Sequence, residues 1–337
     1  MSFATCFSSE NSLRMSRPSV QSPKSVVMIR PHHFTPNAQT AKDNAFQSVD
    51  ERRSAEVLAK AAFDEVTLMA EGLADAGVTV HLFEDETHAL PDSVFPNNWF
   101  STHSGGHVAI YPMFSESRQK ERRPDVIEML KRDYRVQDVI DYSGLERDHF
   151  YLEGTGAMVL DHIGRVAYAA RSNRTNEVAL ERFCTHFNFE PMVFDAVDSS
   201  GKPIYHTNVL MCIGADYAVI GTDMITDPAR RQEIVDRLQE TGRTVIHLSA
   251  RQIGEFAGNA IELEGQDGRV LALSARALAA LSKDQIKTIE QTAKLLPFAV
   301  PTIELAGGSV RCMLAGIHLS RRTTNGTHLL YATTRAG

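Results

Sequence analysis

The sequence predicts an α/β propeller in which five strand–strand–helix units surround one pseudo-fivefold axis. Three observations carry this prediction. The middle of the chain repeats the order apolar run, short polar turn, apolar run, helix-like stretch. The residues just ahead of each unit's first strand, Asn98, Glu153, His206, Asn259 and Cys312, are spaced 55, 53, 53 and 53 apart. The chain has 337 residues, 43% apolar and 23% charged, which is enough apolar side chain for a large core and excludes a disordered chain.

The elements follow in order. SVVMIRP (25–31) is an apolar run with the length of a strand, and DERRSAEVLAKAAFDEVTLMAEGLADAG (50–77) is helix-like. The first complete unit is degenerate: NWFSTHSGGHVAIYPMFSESRQKERRPDVIEMLKRDY turns at Ser104-Gly105-Gly106. GAMVLDHIGRVAYAARSNRTNEVALERF is the clearest second copy, and VLMCIGADYAVIGTDMITDPARRQEIVDRL, turning at Gly214-Ala215-Asp216, is the third. AIELEGQDGRVLALSARALAALSKDQIKTI turns at Gly265-Gln266-Asp267-Gly268. CMLAGIHL, from Cys312, begins a fifth unit, which needs the strand at 25–31 and the helix-like stretch at 50–77 to complete it. The two ends of the chain are expected to meet in one unit. Residues 25–337 form a single catalytic domain in this reading, and residues 1–24 a disordered tail outside it.

Composition removes several functions. The formal net charge is −7 and the pI about 6.0, with no lysine- or arginine-rich block, so a nucleic-acid surface is not expected. No apolar stretch reaches the ~18 residues of a membrane span. The serine-rich start, with Arg14, Arg17, Lys24 and one acid, Glu10, faintly suggests a transit peptide but is read as a tail, or as upstream of a start at Met15. Cys6, Cys184, Cys212 and Cys312 show no metal or disulfide spacing, which fits a reducing cytoplasm. No cofactor motif occurs: GTGAMV lacks the last glycine of a dinucleotide loop, and neither a Walker A nor a GxSxG sequence is present. His103 and His107 flank a Ser-Gly-Gly hairpin rather than sharing a helical face, so metal is not expected there.

A cysteine, a histidine and a carboxylate brought to one axis make a catalytic constellation. Cys312, in AGGSVRCML, follows two glycines and Arg311, whose charge would favour the thiolate. Cys184 and Cys212 read as small buried hydrophobes. His206, in YHTNVLM, lies just before a strand, and Glu153, in YLEGTGAMV, is a carboxylate among apolar residues that calls for a partner. PDSVFPNNWF contributes Asp92, Asn97 and Asn98 beside the only tryptophan, while RSNRTN offers Arg171 or Arg174 as a carboxylate clamp.

At these residues the chain resembles the guanidino-group-modifying, or pentein, superfamily of arginine deiminases, dimethylarginine dimethylaminohydrolases and amidinotransferases. PDSVFPNNW is similar to the acidic substrate loop of the dimethylarginine hydrolases, LEGTG to LEGGD, HTN to the His-x-Asp of the deiminases, SNRTN to their Ser-x-Arg-Thr, and GGSVRC to the segment ending in the nucleophile. The pattern covers residues 25 to about 320 and is most similar to the citrulline-utilisation hydrolases of the CtlX type. The resemblance implies Cys312, His206 and Glu153 as catalytic residues. It also implies Asp92, Asn97, Asn98, Asn208, Arg174 and Arg118 as substrate-binding residues, with Arg174 on the α-carboxylate. It implies no cofactor and no metal, and a small amino-acid substrate; the sequence leaves a homodimer open.

The departures from the family pattern suggest the substrate. Asn97, Asn98 and Asn208 stand where guanidinium-binding members carry acids, and Gly156 stands at the LEGGD aspartate. A guanidinium has only donors and needs carboxylates, whereas a neutral ureido carbonyl needs donors such as Asn NH2. Hydrolysis of citrulline to ornithine, ammonia and carbon dioxide is therefore the expectation. Arginine deiminase or methylarginine hydrolase, then amidinotransferase, are the alternative enzymes, and a catalytically inert amino-acid-binding pentein is the alternative of another class.

Overall fold

The computed structural model describes residues 21–42 and 44–323, so most of the expected tail, Cys6 and Met15 included, lies outside the described residues. The strands are β1 (Ser25–Pro31), β2 (Thr79–Asp85), β3 (Phe100–His103), β4 (His107–Ile110), β5 (Asp138–Asp141), β6 (Val159–Asp161), β7 (Val166–Ala170), β8 (Glu190–Phe194), β9 (Met211–Ile213), β10 (Tyr217–Ile220), β11 (Thr244–His247), β12 (Ile261–Gly265), β13 (Gly268–Ser274), β14 (Lys294–Phe298) and β15 (Ala315–Ile317).

Among the described residues these strands form five sheets of three, each built in the same way. A short hairpin pairs the first two strands antiparallel, and a helix then carries the chain back so that the third lies parallel to the second. The return helices are Pro124–Asp133, Glu177–Phe187, Pro228–Gln239 and the pair Ala275–Ala280 and Lys283–Ile289. The fifth sheet joins the chain's ends as expected. β15 pairs antiparallel with β1 (Val27 opposite Ala315), and β1 runs parallel to β2 across the helix Ala55–Asp75. That helix starts where Ser54 accepts from the Val57 N–H, and it buries Leu58, Ala62, Val66, Met69 and Leu73, a stripe at three- and four-residue spacing.

The first strand of every sheet is innermost. Ser101, Leu160, Cys212, Glu262 and Gly316, one from each, line a common axial channel. Buried Arg243 ties the third sheet to the second: its guanidinium donates to both Asp161 oxygens, at 2.7 and 2.9 Å, and both side chains are fully buried. Asp161 also accepts from the Ile163 and Gly164 N–H groups, fixing the β6–β7 turn.

The inner boundary of the tail needs correction. Gln21, Ser22 and Pro23 are buried, with Gln21 donating to the carbonyls of Leu160 and Ile213 at 3.1 Å each and Ser22 donating to Glu262 at 2.6 Å. The folded part therefore begins no later than Gln21. No apolar pattern announces this, because the segment is held by hydrogen bonds.

Candidate active site

The turns that precede the first strands converge on the axis. Pro96–Asn98 is a short 3₁₀ turn started by proline, and Glu153 and His206 each stand immediately before a four-residue helical turn, Gly154–Ala157 and Thr207–Leu210. Gly154 adopts φ +47°, and a Cβ on it would lie 2.5 Å from the Asn97 carbonyl oxygen, so only glycine fits between these two turns.

His206 Nε2 lies 2.8 Å from Glu153 Oε2. The other carboxylate oxygen accepts from the Phe114 N–H at 3.0 Å, and Arg174 and Arg118 approach Oε2 at 3.5 and 3.6 Å. Burial pushes the Glu153 carboxyl up, but Arg174, His206 and Arg118 together outweigh it and hold the group well below the usual carboxylate range. An ionised Glu153 only accepts, so Nε2 carries the His206 proton and Nδ1 is left as a base. Burial pushes His206 down to about 4 against the pull of Glu153, which leaves the ring neutral at pH 7.

Cys312 is buried and accepts two amide donors at its sulfur: Asn208 Nδ2 at 3.4 Å and Asn259 Nδ2 at 3.2 Å. Cys312, His206, Arg174, Arg118, Asn98 and Asp92 line one small cavity. The loop carrying Thr40 and Asn44 also lines it, with Asn37 donating to Asp92 at 2.8 Å and Asn44 to the Ala306 carbonyl at 3.1 Å.

Arg118 donates to Asn98 Oδ1 at 2.9 Å. A guanidinium has no acceptor, so the Asn98 oxygen must face it and the NH2 points the other way, toward the Glu153 carbonyl at 3.5 Å. A Cβ on Gly156 would lie 2.1 Å from that Nδ2 and 2.9 Å from His206 Nδ1. The Asn98 amide thus fills the space that an aspartate at 156 would require.

The structure separates the remaining candidates. Arg174 is buried with its guanidinium 5.0 Å over the Tyr205 ring, while Arg171 is exposed and pairs with Glu177 and Asp195. Asn97 was expected at the substrate, but it does not line the cavity. It is buried on the other side of its turn, where its NH2 donates to Thr155 at 3.3 Å. Adjacent residues of a tight turn project in different directions, so only one of the two asparagines can face the site. Arg311 also turns away, donating to the Leu314 carbonyl and lining the axial channel. Glu153 sits behind His206 and does not line the cavity.

Sequence reasoning did not single out Glu121 or give Asn259 a role. Glu121 clamps Arg118 through both oxygens at 2.9 to 3.2 Å, and burial raises it to about 8 against that arginine. Its signal was the i,i+3 spacing to Arg118. Asn259 was visible only as a member of the repeat register.

Among the described residues no group of three or more His, Cys, Asp or Glu could hold a metal ion, and no helix is long and apolar enough to cross a membrane.

Five like units around an axial cysteine, histidine and glutamate define a protein of the pentein superfamily. Within it, the chain belongs to the family described as N,N dimethylarginine dimethylhydrolase, eukaryotic, whose family model matches residues 30–319. Solved structures share the fold at low identity. The N-terminal domain of ArgZ, a cyanobacterial arginine dihydrolase, as a Cys-to-Ser mutant with substrate bound, is 17% identical with a TM-score of 0.67, covering 87% of this chain and 97% of that one. AgrE, as a Cys-to-Ala mutant with L-arginine, is 16% identical with a TM-score of 0.69, covering 89% of this chain and 41% of that one. A dimethylarginine dimethylaminohydrolase adduct with S-methyl-L-thiocitrulline is 14% identical with a TM-score of 0.57, covering 89% of this chain and all of that one (100%). No curated protein sequence matches the chain.

A neutral His206 makes a pH prediction for any catalysis that uses it as a base. The acid limb of kcat/KM should lie near pH 4 rather than near the ordinary histidine value of ~6.5, leaving the profile flat between. The same depressed value means stability from this group is complete above ~6.5 and is lost as pH falls through about 4. A kinetic limb at 6 to 7 would show that burial does not depress His206.

Proposed function

We propose that the chain hydrolyses the C–N bond of a ureido amino acid, citrulline, through a covalent Cys312 intermediate, as in the citrulline-utilisation branch it resembles. The observation that carries this is the pairing of the acids. Glu153 already faces His206, Arg174 and Arg118, Glu121 is clamped to Arg118, and Asp92 accepts from Asn37, whereas the amides of Asn208 and Asn259 reach the sulfur. A neutral ureido group suits a cavity whose acids are already paired better than a cation would.

In this reading Arg174 holds the α-carboxylate. His206 Nδ1 takes the Cys312 proton as sulfur attacks the ureido carbon, and the carbonyl electron pair moves onto the ureido oxygen. Collapse breaks one C–N bond, and the leaving nitrogen takes the proton back from His206. His206 then deprotonates water, which attacks the thiocarbamate, and the C–S bond breaks. The carbamate released decomposes, so citrulline and one water give ornithine, ammonia and carbon dioxide.

The alternative substrate is arginine, with one observation in its favour: Asp92 lines the cavity and could face a guanidinium. Comparing kcat/KM on citrulline and arginine decides between them. Asn98→Asp, which puts an anion on the cavity wall, should then lower turnover of citrulline and raise arginine binding, changing their ratio by about one to two powers of ten. A wild type that prefers arginine, or an Asn98→Asp variant with an unchanged ratio, would reject the citrulline reading.

A further inference from the structure

Both hydrogens of the Asn259 amide have acceptors. Nδ2 lies 3.0 Å from the Asn208 backbone carbonyl and 3.2 Å from Cys312 Sγ. A carbonyl oxygen can only accept, so it fixes which end of the amide faces it, and the second N–H must then point at sulfur. Asn208 is not constrained in this way, since Sγ also lies 3.7 Å from its Oδ1 and that side chain can serve either thiol or thiolate.

The Asn259 Oδ1 is buried and has no hydrogen-bond partner among the described residues. A side chain kept only for structure would be expected to satisfy its oxygen. The backbone holds the residue from both sides, its N–H donating to the Phe256 carbonyl and its carbonyl accepting from the Arg311 N–H. Next to it, a Cβ on Gly258 would lie 2.5 Å from the Val209 oxygen, so the fourth unit presses against the third where Asn259 reaches the axis.

We propose that Asn259 is a catalytic residue: it donates to the nucleophilic sulfur and favours the Cys312 thiolate over the thiol. This rests on the reading of Cys312 as the nucleophile. The charged and titratable groups around that sulfur are His206, Asp92, Arg118, Arg174 and Tyr205 on the cavity wall, with Arg311 nearby. None occupies the place of the Asn259 donor.

The test is the rate of Cys312 alkylation by iodoacetamide as a function of pH, read by peptide mass spectrometry so that each cysteine is followed separately. Burial pushes Cys184 and Cys212 up to about 12, which separates them from the signal. Asn259→Ala should slow Cys312 alkylation roughly ten-fold at neutral pH, with the rate recovered at high pH. Asn259→Asp, nearly isosteric but an acceptor beside sulfur, should slow it further. If neither variant folds, the wild type gives the answer: the Asn259 side-chain amide signal in a ¹⁵N spectrum should shift with the Cys312 midpoint. An unchanged midpoint in a folded variant, or an amide signal indifferent to the titration, overturns the proposal. The titration uses no substrate, so a wild type that turns over neither citrulline nor arginine would defeat the functional reading and leave this one standing.

Discussion

Cys312→Ser is expected to abolish turnover, by a factor on the order of 10⁴ or more, while leaving the fold intact. The sulfur sits between two amide donors in a cavity shared with His206, and serine is small enough to occupy the same space. The hydroxyl, however, is far less acidic than a thiol, and a His206 held near 4 is too weak a base to ionise it. His206→Ala should cost nearly as much alone as together with Cys312→Ser, because residues that act as one unit do not lose activity additively. Steady-state rates with matched thermal unfolding curves check this. A Cys312→Ser variant that keeps a tenth of wild-type activity would exclude covalent catalysis at this residue.

Asp161→Ala should be the most damaging substitution for stability, at about 3 to 5 kcal/mol. Arg243 would remain fully buried with its carboxylate gone, keeping the Gly214 carbonyl, which it meets at 2.7 Å, and the nearby Thr241 hydroxyl. The Ile163 and Gly164 N–H groups would lose their acceptor at the same time. Against a typical total of roughly 5 to 15 kcal/mol, such a loss is a large share. Asp161→Asn keeps an acceptor for those N–H groups and should fall between wild type and Asp161→Ala. Urea unfolding midpoints give the order, and an Asp161→Ala midpoint equal to wild type would mean the pair contributes nothing net.

Much of this architecture is legible in the sequence because it repeats. A five-times-recurring unit places equivalent residues at one axis, so the register of Asn98, Glu153, His206, Asn259 and Cys312 is visible without coordinates. Features that depend on one turn or one loop are not periodic and leave no such trace. Asn97 and Asn98 are adjacent and chemically identical, and only the turn geometry decides which one meets Arg118. Arg118 sits in SESRQKERR, a stretch with the composition of a solvated surface, yet Glu121, Asp92 and Glu153 draw it into the interior. Gln21 to Pro23 are held by hydrogen bonds to three different sheets, which no hydrophobic pattern could signal.

A site built for a neutral ureido group distinguishes citrulline from arginine when the wild-type protein, in buffer containing EDTA, is incubated with each separately and the products are followed by mass spectrometry. Ornithine and ammonia should form from citrulline, at a rate well above any conversion of arginine and unaffected by the chelator. Unchanged citrulline beside converted arginine would contradict such a site.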